Sequence, residues 1–191
     1  MNKRNFITTG VSMAALAMLS TGCTTTGGAS GDPAAQRASI DAAVDSALTR
    51  LYPQARGSQE LVASSRGMLV FPSFVSAGFI VGGASGQGAL REAGKTTGYY
   101  RTTSLSAGLL AGAQSTSLIY LFMTQEALDK FKKSNGWQVG ADAGVTLVSV
   151  GANARVDSRN VQQPVVAFVL SNAGLMANLS LDGSRVTRLD L

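Results

Sequence analysis

From residue 68 onward the chain is cut by glycine into short apolar runs, and this punctuation narrows the folds open to it more than any other feature. The runs fall at residues 68–71, 78–81, 88–90, 97–103, 105–113, 117–123, 137–143, 145–154, 165–170, 175–181 and 185–189, and they are rich in β-branched residues. Runs of this length with turn residues between them predict strands, and such a succession predicts an antiparallel sheet that curls or closes. Several of the 22 glycines lie inside the runs, Gly78, Gly108, Gly112, Gly140 and Gly151 among them, and Gly82 and Gly83 directly follow one. A glycine there weakens a strand but permits a bulge, a sharp bend or a close backbone approach. The expected class is α+β: a curved, Gly-rich antiparallel sheet or small barrel, with N-terminal helices and one internal helix.

The helices announce themselves by period. Asp32 is placed to cap a helix with Pro33 in its first position, and Ile40, Val44, Ala47, Leu48 and Leu51 then recur every three or four residues up to Pro53. A short second helix is expected after Ser58 as N-cap, carrying Leu61 and Val62. The internal helix starts at Thr124, carries Ala127, Leu128 and Phe131 on one stripe, and ends in Lys130, Lys132 and Lys133 before Asn135-Gly136.

Ahead of this domain the chain reads as a targeting segment. Lys3 and Arg4 precede an apolar stretch over residues 6–20, shorter than the roughly 20 apolar residues a spanning helix needs. Leu19-Ser-Thr-Gly-Cys23 then resembles a lipobox, in which the thiol is diacylated before cleavage, although the position three before the cysteine holds Ser20 instead of a branched apolar residue. Cys23 is the only cysteine, so no intramolecular disulfide can form, and lipid is its expected fate. Residues 24–31 are small, polar and Gly-rich, as in a flexible spacer. The expected division is a signal peptide over 1–22, a lipidated Cys23 with its tether over 23–33, and one domain over 34–191. Thr24, instead of the Asp that favours inner-membrane retention, points to the outer membrane, with the domain facing the periplasm.

Composition excludes more than it selects. With no histidine, His-based triads and His metal ligation are absent, and no cofactor motif stands out. Glu92, Asp142, Asp157 and Asp182 show no spacing that compels a shared acid–base site. Gly94-Lys95-Thr96 resembles the end of a phosphate-binding loop, but Ala89 stands where that motif requires glycine; Gly83-Ala-Ser-Gly86-Gln-Gly88 has the wrong order for a dinucleotide fingerprint. Both are read as turns, and the chain as a non-enzyme. Without Lys3 and Arg4 there remain 14 basic and 11 acidic residues, a charge of +3 with no dense basic run. That is unlike a nucleic-acid binder and compatible with attraction to anionic lipid.

Gly67-Met-Leu-Val-Phe-Pro72, Ala77-Gly-Phe-Ile-Val-Gly-Gly83 and Gly86-Gln-Gly-Ala-Leu90 resemble the opening signature of the SYLF domain family, which includes eukaryotic membrane-associated adaptors and bacterial lipoproteins. Leu110-Ala-Gly-Ala-Gln114, Ala127-Leu-Asp-Lys-Phe131, Trp137-Gln-Val-Gly-Ala-Asp-Ala143 and Gly174-Leu-Met-Ala-Asn-Leu-Ser-Leu-Asp-Gly183 resemble later blocks in the same order. The resemblance implies phospholipid binding, with phosphoinositides in eukaryotic members and actin binding in fungal ones; the actin role is not carried to an exported bacterial chain. Where the family often has a lysine just before the Ala-Gly-Phe block, this chain has Ser76.

From the residues themselves, two cationic groups are candidates for lipid headgroups. Lys130, Lys132 and Lys133 gather at one helix end, and Arg91, Lys95 and Arg101 flank a loop that also carries Tyr99 and Tyr100. Aromatic rings beside cations suit a membrane interface, whereas terminal lysines also complement a helix dipole. The leading expectation is an anchored, non-catalytic phospholipid-binding module. The alternatives are a structural envelope lipoprotein that contacts protein or peptidoglycan, and an integral barrel, which the 6% aromatic content and the absence of aromatic girdles disfavour.

Overall fold

Helix α1 (Pro33–Gln54) starts as its sequence predicts: the Asp32 carboxylate accepts a hydrogen bond from Ala34 N at 3.0 Å, and Pro33 takes the first position, where no N–H is needed. It runs one residue past Pro53, because the closing bond from Ala55 N to Leu51 O does not involve the proline nitrogen. Helix α2 (Ser58–Ser64) begins one residue earlier than expected. Its N-cap is Gly57, in the left-handed region at φ 85°, and Ser58 is already helical with its hydroxyl buried.

This computed structural model describes residues 32–78, 81–107, 112–139, 141–142, 144–148, 163–171, 174–175 and 183–191. The targeting segment, Cys23 and the spacer over 24–31 lie outside them. Among the described residues the strands are β1 (Gly67–Gly78), β2 (Val81–Glu92), β3 (Lys95–Ala107), β4 (Gly112–Phe122), β5 (Trp137–Gln138), β6 (Val145–Val148), β7 (Val165–Ser171), β8 (Gly174–Leu175) and β9 (Arg185–Leu189). They form one curled sheet in the order β5-β9-β3-β2-β1-β4-β7-β6, with β8 alongside β7. All pairs are antiparallel except β6 with β7, a departure from the expected pattern that the long connection over 149–164 makes feasible.

The strands also fall differently from the runs. Residues 78–81 and 105–113 are each expected as a single strand; of their described residues, Gly78 ends β1, Val81 opens β2, 105–107 end β3 and 112–113 open β4. Residues 83–88, read as a turn, lie inside β2. The reason is steric. A Cβ on Gly88 would stand 2.0 Å from Val70 O, and one on Gly86 would stand 2.7 Å from Ser73 O, so β2 needs glycine where β1 bulges towards it. That bulge lies between Val70 and Ser73 and contains Pro72, which has no N–H to give to a ladder. At the other end of β2, Ala93 (φ 48°) and Gly94 (φ 77°) make the tight two-residue turn into β3.

Alternation along the strands sorts side chains into two cores. On the inner face Leu69, Phe71, Leu90, Tyr100, Leu118, Tyr120 and Phe122 meet Val165, Ala167 and Val169 of β7 and Val186 of β9. Strands from opposite ends of the sheet order share this core, which only a curled sheet permits. The inner face is closed by α3 (Gln125–Lys133), whose Phe131 ring stands 5.0 Å from Tyr100, 5.0 Å from Phe122 and 5.5 Å from Trp137. Thr124 caps α3 by accepting from Ala127 N at 3.2 Å; the helix ends at Ser134, before Asn135-Gly136, with Ser134 N bonded to Phe131 O. On the outer face the α1 stripe and Leu61 of α2 cover Val70, Ala89, Ile119, Leu121, Val166, Phe168 and Leu170. Gly31–Leu191 thereby forms a compact unit.

Candidate functional site

The cations that the sequence nominates separate into three environments. Arg91 lies beneath α1, where one guanidinium nitrogen pairs with Asp45 and the other donates to Asp41 O at 3.3 Å. The Asp41 carboxylate in turn accepts from Thr96 Oγ1 at 2.8 Å and from the Tyr99 hydroxyl at 2.9 Å. Burial raises the Tyr99 phenol above its ordinary value, and the bond to Asp41 raises it further. Arg91 and Tyr99 therefore strap α1 to the β2–β3 hairpin.

The lysines of α3 do not act as one group. At 100° per residue Lys130 and Lys132 point to nearly opposite sides of the helix. Lys130 lines a pocket of about 390 Å3 together with Thr124, Glu126 and Asp142. Lys132 reaches the β2–β3 hairpin, where its ammonium lies 3.0 Å from both carboxylate oxygens of Glu92. Lys133 is exposed beside it in sequence.

Around Lys132 a compact site takes shape. Glu92 pairs across the turn with Lys95, which is exposed, and accepts from Thr97 Oγ1 at 2.7 Å. Partial burial pushes the Glu92 carboxyl up, but the bonds from Thr97 and Lys132 and the Lys132 charge outweigh it, and the net shift is downward. Tyr100 faces Arg188 across the β3–β9 pair and packs on Phe131. Its hydroxyl is raised chiefly by burial, while the charges of Arg188 and Lys132 pull it down. Both cations therefore stand close to one phenol. Arg188 is exposed and was not nominated from sequence, although the alternation Arg185-Val186-Thr187-Arg188 could have flagged it.

The site is thus a shallow rim at the turn end of β2 and β3. Arg188 lies opposite Tyr100, Lys95 lies across the turn from Glu92, and Glu92 holds Lys132 in place. Such a rim can bind an anion by charge and by donation from Nζ and guanidinium. Arg101 lies elsewhere, in the upper, outward-facing part of β3, exposed and opposite Gln87 and Thr187. Among the described residues no group of three or more acidic or cysteine side chains is placed to hold a metal ion, and no helix is long and apolar enough to cross a membrane.

Against known families, residues 103–190 match the model described as Ysc84, Las17-binding protein actin regulator. The matched stretch takes in the end of β3, all of β4 and α3, and β9 with Arg188. No curated protein matches the chain.

Proposed function

We propose, from the match of residues 103–190 to the Ysc84-type model and the SYLF-like blocks of the sequence, that the chain is a membrane-anchored bacterial lipoprotein whose domain binds anionic phospholipid headgroups without catalysis. Lipid on Cys23 holds it to the envelope, by the Thr24 reading at the outer membrane with the domain in the periplasm. The family description speaks of actin regulation, a role with no counterpart for an exported chain.

The observation that carries this reading is the gathering of three exposed cations at the turn end of the sheet: Lys132 paired with Glu92, Lys95 across the turn from Glu92, and Arg188 opposite Tyr100 on β9. A phosphate diester offers acceptor oxygens and a negative charge, and these groups offer donors and positive charge on an accessible rim.

The test is co-sedimentation of the chain carrying Cys23→Ser with neutral and with anionic vesicles, in low and high salt. Preference for anionic vesicles that salt weakens is expected, and Lys132→Ala with Arg188→Ala should lower that affinity roughly thirtyfold, at about 1 kcal/mol per basic residue near the surface. Equal binding to neutral vesicles, or no loss in the double variant, would overturn the headgroup reading. For the anchor, mass spectrometry of the wild-type mature N-terminus should find a diacylated Cys23; a bare thiol there would remove it.

A further inference from the structure

The end of the sheet opposite the β2–β3 turn carries a second surface. Helix α1 covers the outer face only as far as Gln87, to which Gln36 donates at 3.2 Å. Beyond that row the outward positions of β1, β2, β3 and β9 stand in register: Val75 beside Ser85, Ser85 beside Thr103, Thr103 beside Arg185, and Gly83 beside Leu105. No helix among the described residues covers them.

Two facts set this tier apart. Leu105 is 87% exposed and Val75 47%, the exposed large hydrophobics of the described residues, and both line one open groove of about 670 Å3 with Ser85, Thr103 and Arg185. Gly83 leaves the groove floor clear, since a Cβ there would meet nothing within 4 Å. Among the described residues the charge is of one sign: Arg185 projects from this tier and Arg101 from the adjoining Gln87 row, neither in an ion pair, and no acidic side chain shares the tier. The Arg185 guanidinium lies against Gly136, where a Cβ would fall 2.6 Å from Nε; glycine at φ 147° is what lets it rest there.

We propose that this tier docks on the surface of an anionic phospholipid bilayer, with Leu105 and Val75 entering the boundary of the hydrocarbon and Arg101 and Arg185 meeting phosphates. Charge decides the occupant. A second copy packed face to face would bring four guanidinium groups together without a carboxylate, whereas an anionic bilayer satisfies apolar and cationic side chains at once. The proposal rests on the reading that the domain binds phospholipid, and it adds a second contact. From Lys95 to Leu105 the strand rises roughly 30 Å at about 3.3 Å per residue. The two contacts therefore lie at opposite ends of β3, far enough apart for each to seat on its own bilayer, and the domain can then bridge two lipid surfaces.

An environment-sensitive fluorophore on Leu105→Cys, in the full chain with Cys23→Ser, reads this directly; the same dye on Gln59→Cys, exposed on α2, is the control. With phosphatidylglycerol-containing vesicles the dye at 105 should brighten and shift to the blue while the dye at 59 does not, and Arg101→Gln with Arg185→Gln should reduce the response severalfold. A dye at 105 that stays water-like on vesicles that carry the protein down in sedimentation overturns the proposal and leaves the headgroup reading standing. Absence of sedimentation refutes both. Brightening that grows with protein concentration in the absence of vesicles, or that is equal on neutral vesicles, also overturns it, the first by showing self-association and the second by removing the arginines. Dynamic light scattering completes the test: the wild type should cluster anionic vesicles, and Leu105→Ser with Val75→Ser should bind them without clustering. A double variant that clusters as well as wild type contradicts the second contact.

Discussion

The two ends of the sheet carry cations in opposite circumstances. At the β2–β3 turn, Arg91 is held by Asp45 and Asp41 O, and Lys132 by Glu92, with α1 and α3 packed close on either face. Towards the far end, Arg101 and Arg185 have no charged partner among the described residues, and Leu105 and Val75 lie open. The contrast shows that a basic residue near a loop is informative only when its surroundings are known. Charge tied beneath a helix, as at Arg91, holds the fold in place, and charge that stays exposed, as at Arg188, is what a ligand can use.

Stability measurements should divide along the same line. Phe131→Ala empties the middle of the inner aromatic cluster and should cost about 3–5 kcal/mol in chemical denaturation. Leu105→Ser at the far end should stay within about 0.5 kcal/mol of wild type, since almost nothing covers that side chain. Equal losses would break the distinction. Next in size, Asp41→Ala removes the acceptor of both Thr96 and Tyr99 and should cost about 2 kcal/mol, where Arg101→Ala should cost almost nothing.

Smaller effects sharpen the picture. The Tyr120 hydroxyl is buried in the inner core with no hydrogen-bond partner, and burial raises its ionisation above the ordinary phenol value. Tyr120→Phe should therefore stabilise the protein by about 1 kcal/mol at neutral pH. Because the folded value is raised, the wild type keeps this group's contribution below about pH 10 and loses it as pH climbs beyond, so the variant should also resist alkaline unfolding better. Glu92 works in the opposite sense. Its folded value is depressed, so its contribution is present above the unfolded value near 4.5 and is lost as pH falls through the folded one. Glu92→Gln should flatten that acid limb slightly in a pH series of melting curves, and an unchanged limb would argue against the Lys132 pairing.

Much of the architecture was legible because its signals are local. Asp32 with Pro33, the stripe from Ile40 to Leu51, and Thr124 before Ala127 each declare a helix within a turn or two of sequence. The strands were read too short, because glycine marks both a turn and a close approach of backbones. Only the position of Val70 O and Ser73 O opposite Gly88 and Gly86 tells the two apart. The site was harder still. Arg91 resembles Lys95 in the linear chain, and its separation from Asp45 by 46 residues hides the pair. Arg188 became a candidate only when β9 placed it opposite Tyr100, and Arg185 when β9 placed it opposite Thr103.

The account stands or falls on exposed cations such as Arg188, and not on Arg91 beneath α1, carrying lipid affinity. The direct measurement is the salt dependence of binding to anionic vesicles for Arg188→Ala beside Arg91→Ala, two single removals of the same charge. Arg188→Ala is predicted to weaken binding and flatten the salt dependence, while Arg91→Ala leaves both unchanged in protein that remains folded by circular dichroism. Loss of binding in folded Arg91→Ala, with Arg188→Ala behaving as wild type, would contradict it.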